Sequence, residues 1–261
     1  MKKVWTVMLA LSLVLSTLGG CAVEKEEKRE LIVFAASSLT EALTEIGAVY
    51  EKNHSDIKLR FQFDSSGTLK TQIAEGAECD IFISAAPKQM NELEGHIIPE
   101  TRVDLLENKV ALVVPDGNPA AISSLNDLVM RLREGMVRLA VGNSDVPVGQ
   151  YTQKIFAYYG LDEGALAESG CLSYGNNVKQ VTTQVSEAVV DCGIIYATDA
   201  NSAGLTIVDT AQAEQCGQVL YPAALMQGAD MDAQNFLNYL QGDMAAEFFA
   251  QVGFTHLGRL R

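Results

Sequence analysis

Apolar positions along this chain fall into two series, and each switches between period two and helical spacing. Leu31–Ala36 is a short apolar run. Behind it Ala42, Leu43, Ile46, Val49 and Tyr50 recur at helical spacing, and Ser38-Leu39-Thr40-Glu41 reads as a capping box at the start of that helix. Positions 57–63 (IKLRFQF) alternate apolar and polar, as in a half-buried strand. The turn Asp64–Thr68 leads to a second helix carrying Leu69, Ile73 and Ala74, and Asp80–Ser84 reads as a buried strand ending at Ala85-Ala86-Pro87. This β-α-β-α-β order predicts a mostly parallel sheet with helices on both faces.

The second series starts with the strand-like run Lys109–Pro115 and a helix bearing Leu125, Leu128 and Leu132. A strand at Val137–Val141 follows, then helices opened by Pro147-Val148-Gly149 and by Asn176-Asn177, the latter with Val178, Val181, Val185 and Val189 on one face. Gly193–Tyr196 and Leu205–Val208 read as strands, Tyr221–Leu225 as a further apolar stretch, and Ala233–Leu240 and Met244–Val252 as closing helices. The whole is α/β. Two such units predict two lobes, 31–110 plus 220–261 and 111–219, with strands near Val110–Val114 and Val219–Ala224 as the hinge. In sheets of this kind ligands bind at the carboxyl ends of strands, beside helix N-termini.

The first residues follow different rules. Lys2 and Lys3 precede an uncharged, mainly apolar stretch from Val4 to Leu18, which ends in Gly19-Gly20-Cys21. A run of about 15 residues is short for a membrane span, which needs about 20, so residues 1–20 read as a signal peptide. Leu18-Gly19-Gly20-Cys21 resembles the lipobox of bacterial lipoproteins, which implies lipidation at Cys21 and a protein held on the extracytoplasmic face of a bacterial cell membrane. Residues 21–30, rich in Glu, Lys and Arg, read as a charged tether.

Net charge is −14, and loss of Lys2 and Lys3 with the signal takes it to −16. Such acidity argues against nucleic acid and against peripheral binding to anionic lipid. Cys79, Cys171, Cys192 and Cys216 fit no zinc spacing. Cys79 and Cys192 read as small buried hydrophobes, and an oxidising compartment permits a Cys171–Cys216 disulfide.

An acidic protein can still hold an anion. The first turn of a helix has unpaired N–H groups and a partial positive charge, and several such starts converging make an oxyanion cage. Four are on offer: Ser37-Ser38, Ser65-Ser66-Gly67, Pro147-Val148-Gly149 and Asn177-Val178. Taken singly, a serine or asparagine N-cap or a proline at the first helical position needs no ligand, and Tyr196 at a strand end needs to be no more than a core aromatic.

Seven segments in order give these starts a common meaning: VFAASSLTEAL (33–43), FDSSGTLKTQI (63–73), ECDIFISAAPKQM (78–90), DVPVGQYTQKI (145–155), NNVKQV (176–181), GIIYATDA (193–200) and YPAAL (221–225). From about residue 31 to its end the chain resembles the molybdate-binding proteins of ABC importers. The resemblance implies a two-lobed periplasmic-binding-protein fold of type II with molybdate or tungstate in the cleft. It assigns the donors as Ser38 with its backbone, Ser66, the amides of Val148 and Val178, and the Tyr196 hydroxyl. It also implies an ABC permease and ATPase as partners, a monomer, and no cofactor, bare metal ion or catalytic residue.

Every group in that set donates and none accepts, which suits a fully deprotonated tetrahedral dianion. Monohydrogen phosphate would need an acceptor, and the one carboxylate in these segments near the proposed donors, Asp64, is expected to point away. Sulfate or another small oxyanion is the alternative. An enzyme would need a general base near Ser38 or Ser66, but His54, His96 and His256 lie outside these segments and no G-x-S-x-G, HExxH, Walker A or GxGxxG motif is present. An amino-acid binder would need an Arg, which the segments lack.

Overall fold

A computed structural model describes residues 28–258. The signal segment 1–20, Cys21 and the tether up to residue 27 lie outside the described residues. The first series unrolls as β1 (Arg29–Ala36), a 3-10 turn (Ser37–Leu39), α1 (Thr40–Asn53), β2 (Ile57–Asp64), α2 (Ser66–Ala74), β3 (Ile81–Ile83), α3 (Pro87–Glu92) and β4 (Val103–Asn108). After Lys109 the chain continues as β5 (Val110–Val114), α4 (Leu125–Arg133), β6 (Leu139–Gly142), α5 (Pro147–Tyr159), α6 (Glu163–Glu168) and β7 (Leu172–Gly175). Then come α7 (Val178–Ser186), β8 (Cys192–Tyr196), α8 (Ala197–Ala203), β9 (Thr206–Thr210) and α9 (Ala213–Cys216). It ends with β10 (Val219–Leu225), α10 (Met231–Leu240), α11 (Asp243–Val252) and β11 (Thr255–His256).

Two sheets result, ordered β11-β4-β10-β3-β1-β2 and β7-β6-β8-β5-β9. The first takes its strands from 29–108 and 219–256, the second from 110–210. Both are mixed rather than mostly parallel. β1 runs parallel to β2 and β3, and β6 parallel to β7 and β8, but β10 is antiparallel to β3 and β4, and β5 to β8 and β9. The cause is the crossover: β5 and β10 are the strands by which the chain enters each sheet from the other, and each runs against its neighbours. The two strands lie in different sheets, each directly after a crossing. The crossings are Lys109 and residues 211–218, and Val110 belongs to the second sheet.

β1 shows why its run of apolar residues is unbroken. Leu31, Val33 and Ala35 pack into the main core, whereas Phe34 faces a second cluster with Leu69, Phe82 and Met90 on the opposite side. Alternate residues point to opposite faces, and both faces are covered. The strand also begins two residues inside the charged tether. Arg29 donates through its backbone to Asp56 O (2.8 Å), and its guanidinium joins Asp230 at 2.8 Å and Asp80 at 3.1 Å.

Other departures are local. Val189, read as part of the α7 face, lies beyond the helix and is 55% exposed. Cys171 and Cys216 are free thiols, as are Cys79 and Cys192. Cys171 Sγ accepts from Ser169 Oγ (3.2 Å), and Cys216 Sγ faces the Gly217 carbonyl (3.4 Å). Cys192 is fully buried; Cys79 is half-buried, and burial pushes its thiol up to about 12. Among the described residues no helix is long and apolar enough to cross a membrane.

Candidate functional site

Residues just past the carboxyl ends of β1, β2 and β3 meet those past β6, β7 and the end of β8. They line a small, tight pocket, formed from the first unit by Ala36–Ser38, Asp64–Ser66 and Ala85, and from the second by Val146–Val148, Val178 and Tyr196. All five residues singled out from the sequence, Ser38, Ser66, Val148, Val178 and Tyr196, are brought together here.

The local sequence explains each placement. Ser65 caps α2 by accepting from Thr68 N–H at 3.1 Å, which leaves the next hydroxyl, Ser66, free for other work. Ser66 is fully buried, and its Oγ accepts from Ala85 N–H at 2.9 Å. Its own proton has no acceptor in that bond and is available to the cavity. Pro147 opens α5 without a wasted N–H, so Val148 is the second residue of the helix. Asn177 caps α7 through Gln180 N–H (3.0 Å), which makes Val178 its first residue. Both valine N–H groups lie in a first turn, where no helical carbonyl reaches them.

Ser38 departs from the expected capping box. It sits in the 3-10 turn, α1 starts at Thr40 with no side-chain cap, and the Ser38 Oγ lies 2.9 Å from the Tyr221 hydroxyl. Glu41, the other half of the box, is taken by Lys179 Nζ at 2.7 and 2.8 Å.

Tyr196 is 1% exposed, and its hydroxyl has no partner. Tyr151 and Tyr221 hold the ring edge-on, at 6.4 and 5.7 Å between centroids. Burial pushes its pKa well above the ordinary phenol value, so the hydroxyl stays protonated and remains a donor. A buried hydroxyl without a partner costs about 1–3 kcal/mol, a debt that a ligand oxygen would cancel.

The ionisable groups nearest the cavity are each engaged by a partner. Lys179 lies next to Val178 in sequence, yet its ammonium bridges Glu41 of α1 and the buried Asp199 of α8, 3.1 Å from the latter. Burial pushes the Asp199 carboxyl up to about 6, against the pull of Lys179. Asp64 lines the cavity, but its Oδ1 is occupied by Ser65 N–H (2.7 Å) and by Asn177 Nδ2 (3.2 Å). The Lys179–Glu41 and Asn177–Asp64 bonds both join one unit to the other. Between these ties the backbones nearly touch: a Cβ on Gly67 would stand 2.2 Å from the Asp145 carbonyl oxygen.

The histidines take structural roles or lie elsewhere. His54 stacks on Tyr50 with centroids 4.0 Å apart, His256 bonds the Leu240 carbonyl at 2.9 Å, and His96 sits in the turn after α3. Among the described residues no group of three or more His, Cys, Asp or Glu is arranged to hold a metal ion. Sequence reasoning missed the groups behind the donors: Tyr221, quoted only as a strand, and Asn108, which ends a strand the apolar pattern does not reveal.

Comparison with known proteins gives this geometry a setting. The family described as bacterial extracellular solute-binding protein matches residues 31–255. A Bacillus subtilis (strain 168) protein that carries the provisional name of ABC transporter substrate-binding lipoprotein YvgL is 31% identical over 98% of this chain and 99% of its own. The molybdate-binding protein ModA of Escherichia coli (strain K12) is 32% identical, again over 98% and 99%. The periplasmic molybdate-binding protein of Azotobacter vinelandii, 20% identical, superposes with a TM-score of 0.75 over 86% of this chain and 98% of its own, a likeness of fold.

Proposed function

The chain belongs to the family of bacterial extracellular solute-binding proteins, and from that premise we propose that it captures molybdate, and tungstate with it, for an ABC importer. The carrying observation is the cavity itself: the buried Tyr196 hydroxyl without a partner, set among four helix starts and the buried serines Ser38 and Ser66. Ser38, Ser66 and Tyr196 would donate through their hydroxyls, and Val148 and Val178 through their amides. A dianion in such a cage is neutralised by N–H and O–H dipoles alone, which are strong where water is excluded. Asp64, the one carboxylate that lines the cavity, is held through Oδ1 by Ser65 N–H and Asn177 Nδ2, and the five assigned groups are all used as donors, an arrangement that suits a fully deprotonated oxyanion. No group in this set has a catalytic task; binding is the whole of the chemistry.

Thermal unfolding with molybdate, tungstate, sulfate, phosphate and amino acids tests the assignment. A ligand present at about 100 times its Kd adds about 2.7 kcal/mol, which raises Tm by roughly 5–10 °C in a chain of this size. Molybdate and tungstate are expected to give that rise, with sulfate weaker in direct competition by calorimetry. A response to amino acids alone would overturn the reading.

Delivery requires a permease and an ATPase, which this chain would meet as a monomer tethered through a lipid on Cys21. Cys21→Ser is expected to abolish lipid labelling and release the protein from the membrane fraction. Retention of the unlabelled variant in that fraction would instead make the apolar segment an uncleaved anchor.

A further inference from the structure

We propose that Tyr221 and Asn108 are positioning residues that aim the Ser38 hydroxyl proton at the bound oxyanion, an inference that rests on Ser38 being a ligand group. The starting point is a backbone donor. Lys109 N–H needs an acceptor and finds Asn108 Oδ1 at 2.8 Å. That bond fixes which way the Asn108 amide faces, because a flipped amide would set its NH2 against the N–H. Both hydrogens of Nδ2 then point the other way, one to Thr198 Oγ1 at 2.9 Å and one to the Tyr221 hydroxyl oxygen at 3.2 Å.

The rest follows from counting protons. Tyr221 is fully buried, and its oxygen already accepts from Asn108. Its oxygen has a second lone pair, but its one buried proton needs an acceptor, and Ser38 Oγ, 2.9 Å away, is the one within hydrogen-bond distance. Ser38 thus receives a hydrogen bond from behind and keeps its own proton for the cavity. Ser66 is prepared in the same way in a single step, by Ala85 N–H. Both serine hydroxyls are set as donors before the ligand arrives. A hydroxyl left free to rotate could present its lone pairs to the anion, at a cost to binding. The relay also spans the crossover, since Thr198 belongs to α8 beside the second sheet and Tyr221 to β10 of the first.

A double-mutant cycle read by calorimetry with molybdate separates this role from packing. Tyr221→Phe keeps the ring and removes the relay. It is expected to weaken binding by about tenfold in the parent, the scale of one hydrogen bond, and by less than twofold once Ser38 is Ala. Asn108→Asp keeps the acceptor for Lys109 N–H but draws the Tyr221 proton to itself, so Ser38 must donate to Tyr221 instead of the ligand. Its loss is expected to exceed that of Tyr221→Phe and to shrink in the Ser38→Ala background. If Tyr221→Phe costs the same in both backgrounds while Ser38→Ala alone weakens binding, the relay is wrong and Ser38 remains a ligand. If Ser38→Ala binds like the parent, the assignment of Ser38 fails and the relay with it.

Discussion

Ser66→Asp is expected to weaken molybdate binding by about a thousandfold or more while leaving the protein folded. Ser66 is the first residue of α2, a position where a carboxylate suits the helix dipole. An Asp there can also accept from Ala85 N–H as the serine does. The fold therefore loses little, but a negative charge now faces the dianion in a site that water does not screen. Two like unit charges 4 Å apart repel by about 4 kcal/mol at an effective dielectric near 20, about a thousandfold in Kd, and the second charge of the dianion makes this the least loss expected. Ser66→Ala, Ser38→Ala and Tyr196→Phe each delete only one donor to a charged group, about 10- to 150-fold. The backbone donors should respond to a different chemistry. Val178→Ala keeps the N–H and is expected to bind molybdate nearly as the parent does. Val178→Pro removes it at a helix position that tolerates proline, and Asn177 before it is already extended (φ −155°, ψ 170°), as a residue preceding proline prefers. It should fall in the same 10- to 150-fold range. Calorimetry on this set checks the pattern; Ser66→Asp within tenfold of the parent would place the oxyanion elsewhere.

What the sequence reveals and what it hides divide along physical lines. β1 and β5 are legible because both faces are covered, so apolar runs are uninterrupted, and α4 is legible from Leu125, Leu128 and Leu132. β4 is not, because VDLLEN carries only Leu105 and Leu106 fully buried and becomes a strand through its pairing with β10 and β11. β7 is a four-residue edge strand with an exposed Tyr174, too short for a period to register. Strand direction is invisible for another reason: nothing local in Val219–Leu225 says that it runs against β3 and β4. At the site, serines after strands mark helix starts, but the division between Ser65 as cap and Ser66 as cavity hydroxyl depends on Ala85, 19 residues away. Asn108 is more remote still, since its partner Tyr221 lies 113 residues on. The acidic net charge misleads in the same way. Lys179 offsets one of the two charges of Glu41 and Asp199, and Asp64 is engaged by two N–H donors, so the charge counted along the chain overstates what the cavity meets.

Gly149→Ala is expected to cost both stability and binding, and the sign of the stability change makes it diagnostic. Gly149 is the third residue of α5, with ordinary helical backbone, so propensity alone would favour alanine by about 0.5–1 kcal/mol. Packing says the opposite. A Cβ at 149 would stand 2.2 Å from the Asn143 carbonyl oxygen and 2.4 Å from that of Gly142. These are backbone atoms at the end of β6 and in the turn behind it, and they cannot swing aside as a side-chain tip could. The start of α5 must lift away from β6 instead. Overpacking of this kind costs about 1–3 kcal/mol, and with backbone on both sides of the contact the upper end is expected, well beyond the gain from propensity. The Val148 N–H is one residue away and moves with the helix start. A displaced donor to a charged oxygen is worth about 1.5–3 kcal/mol, so molybdate affinity should fall about 10- to 150-fold as well. Urea unfolding with and without molybdate reads both effects at once: a lower midpoint in the free protein, and a smaller upward shift when the anion is added. A variant that is more stable than the parent and still shifts fully with molybdate would mean that α5 does not need its close seat on β6.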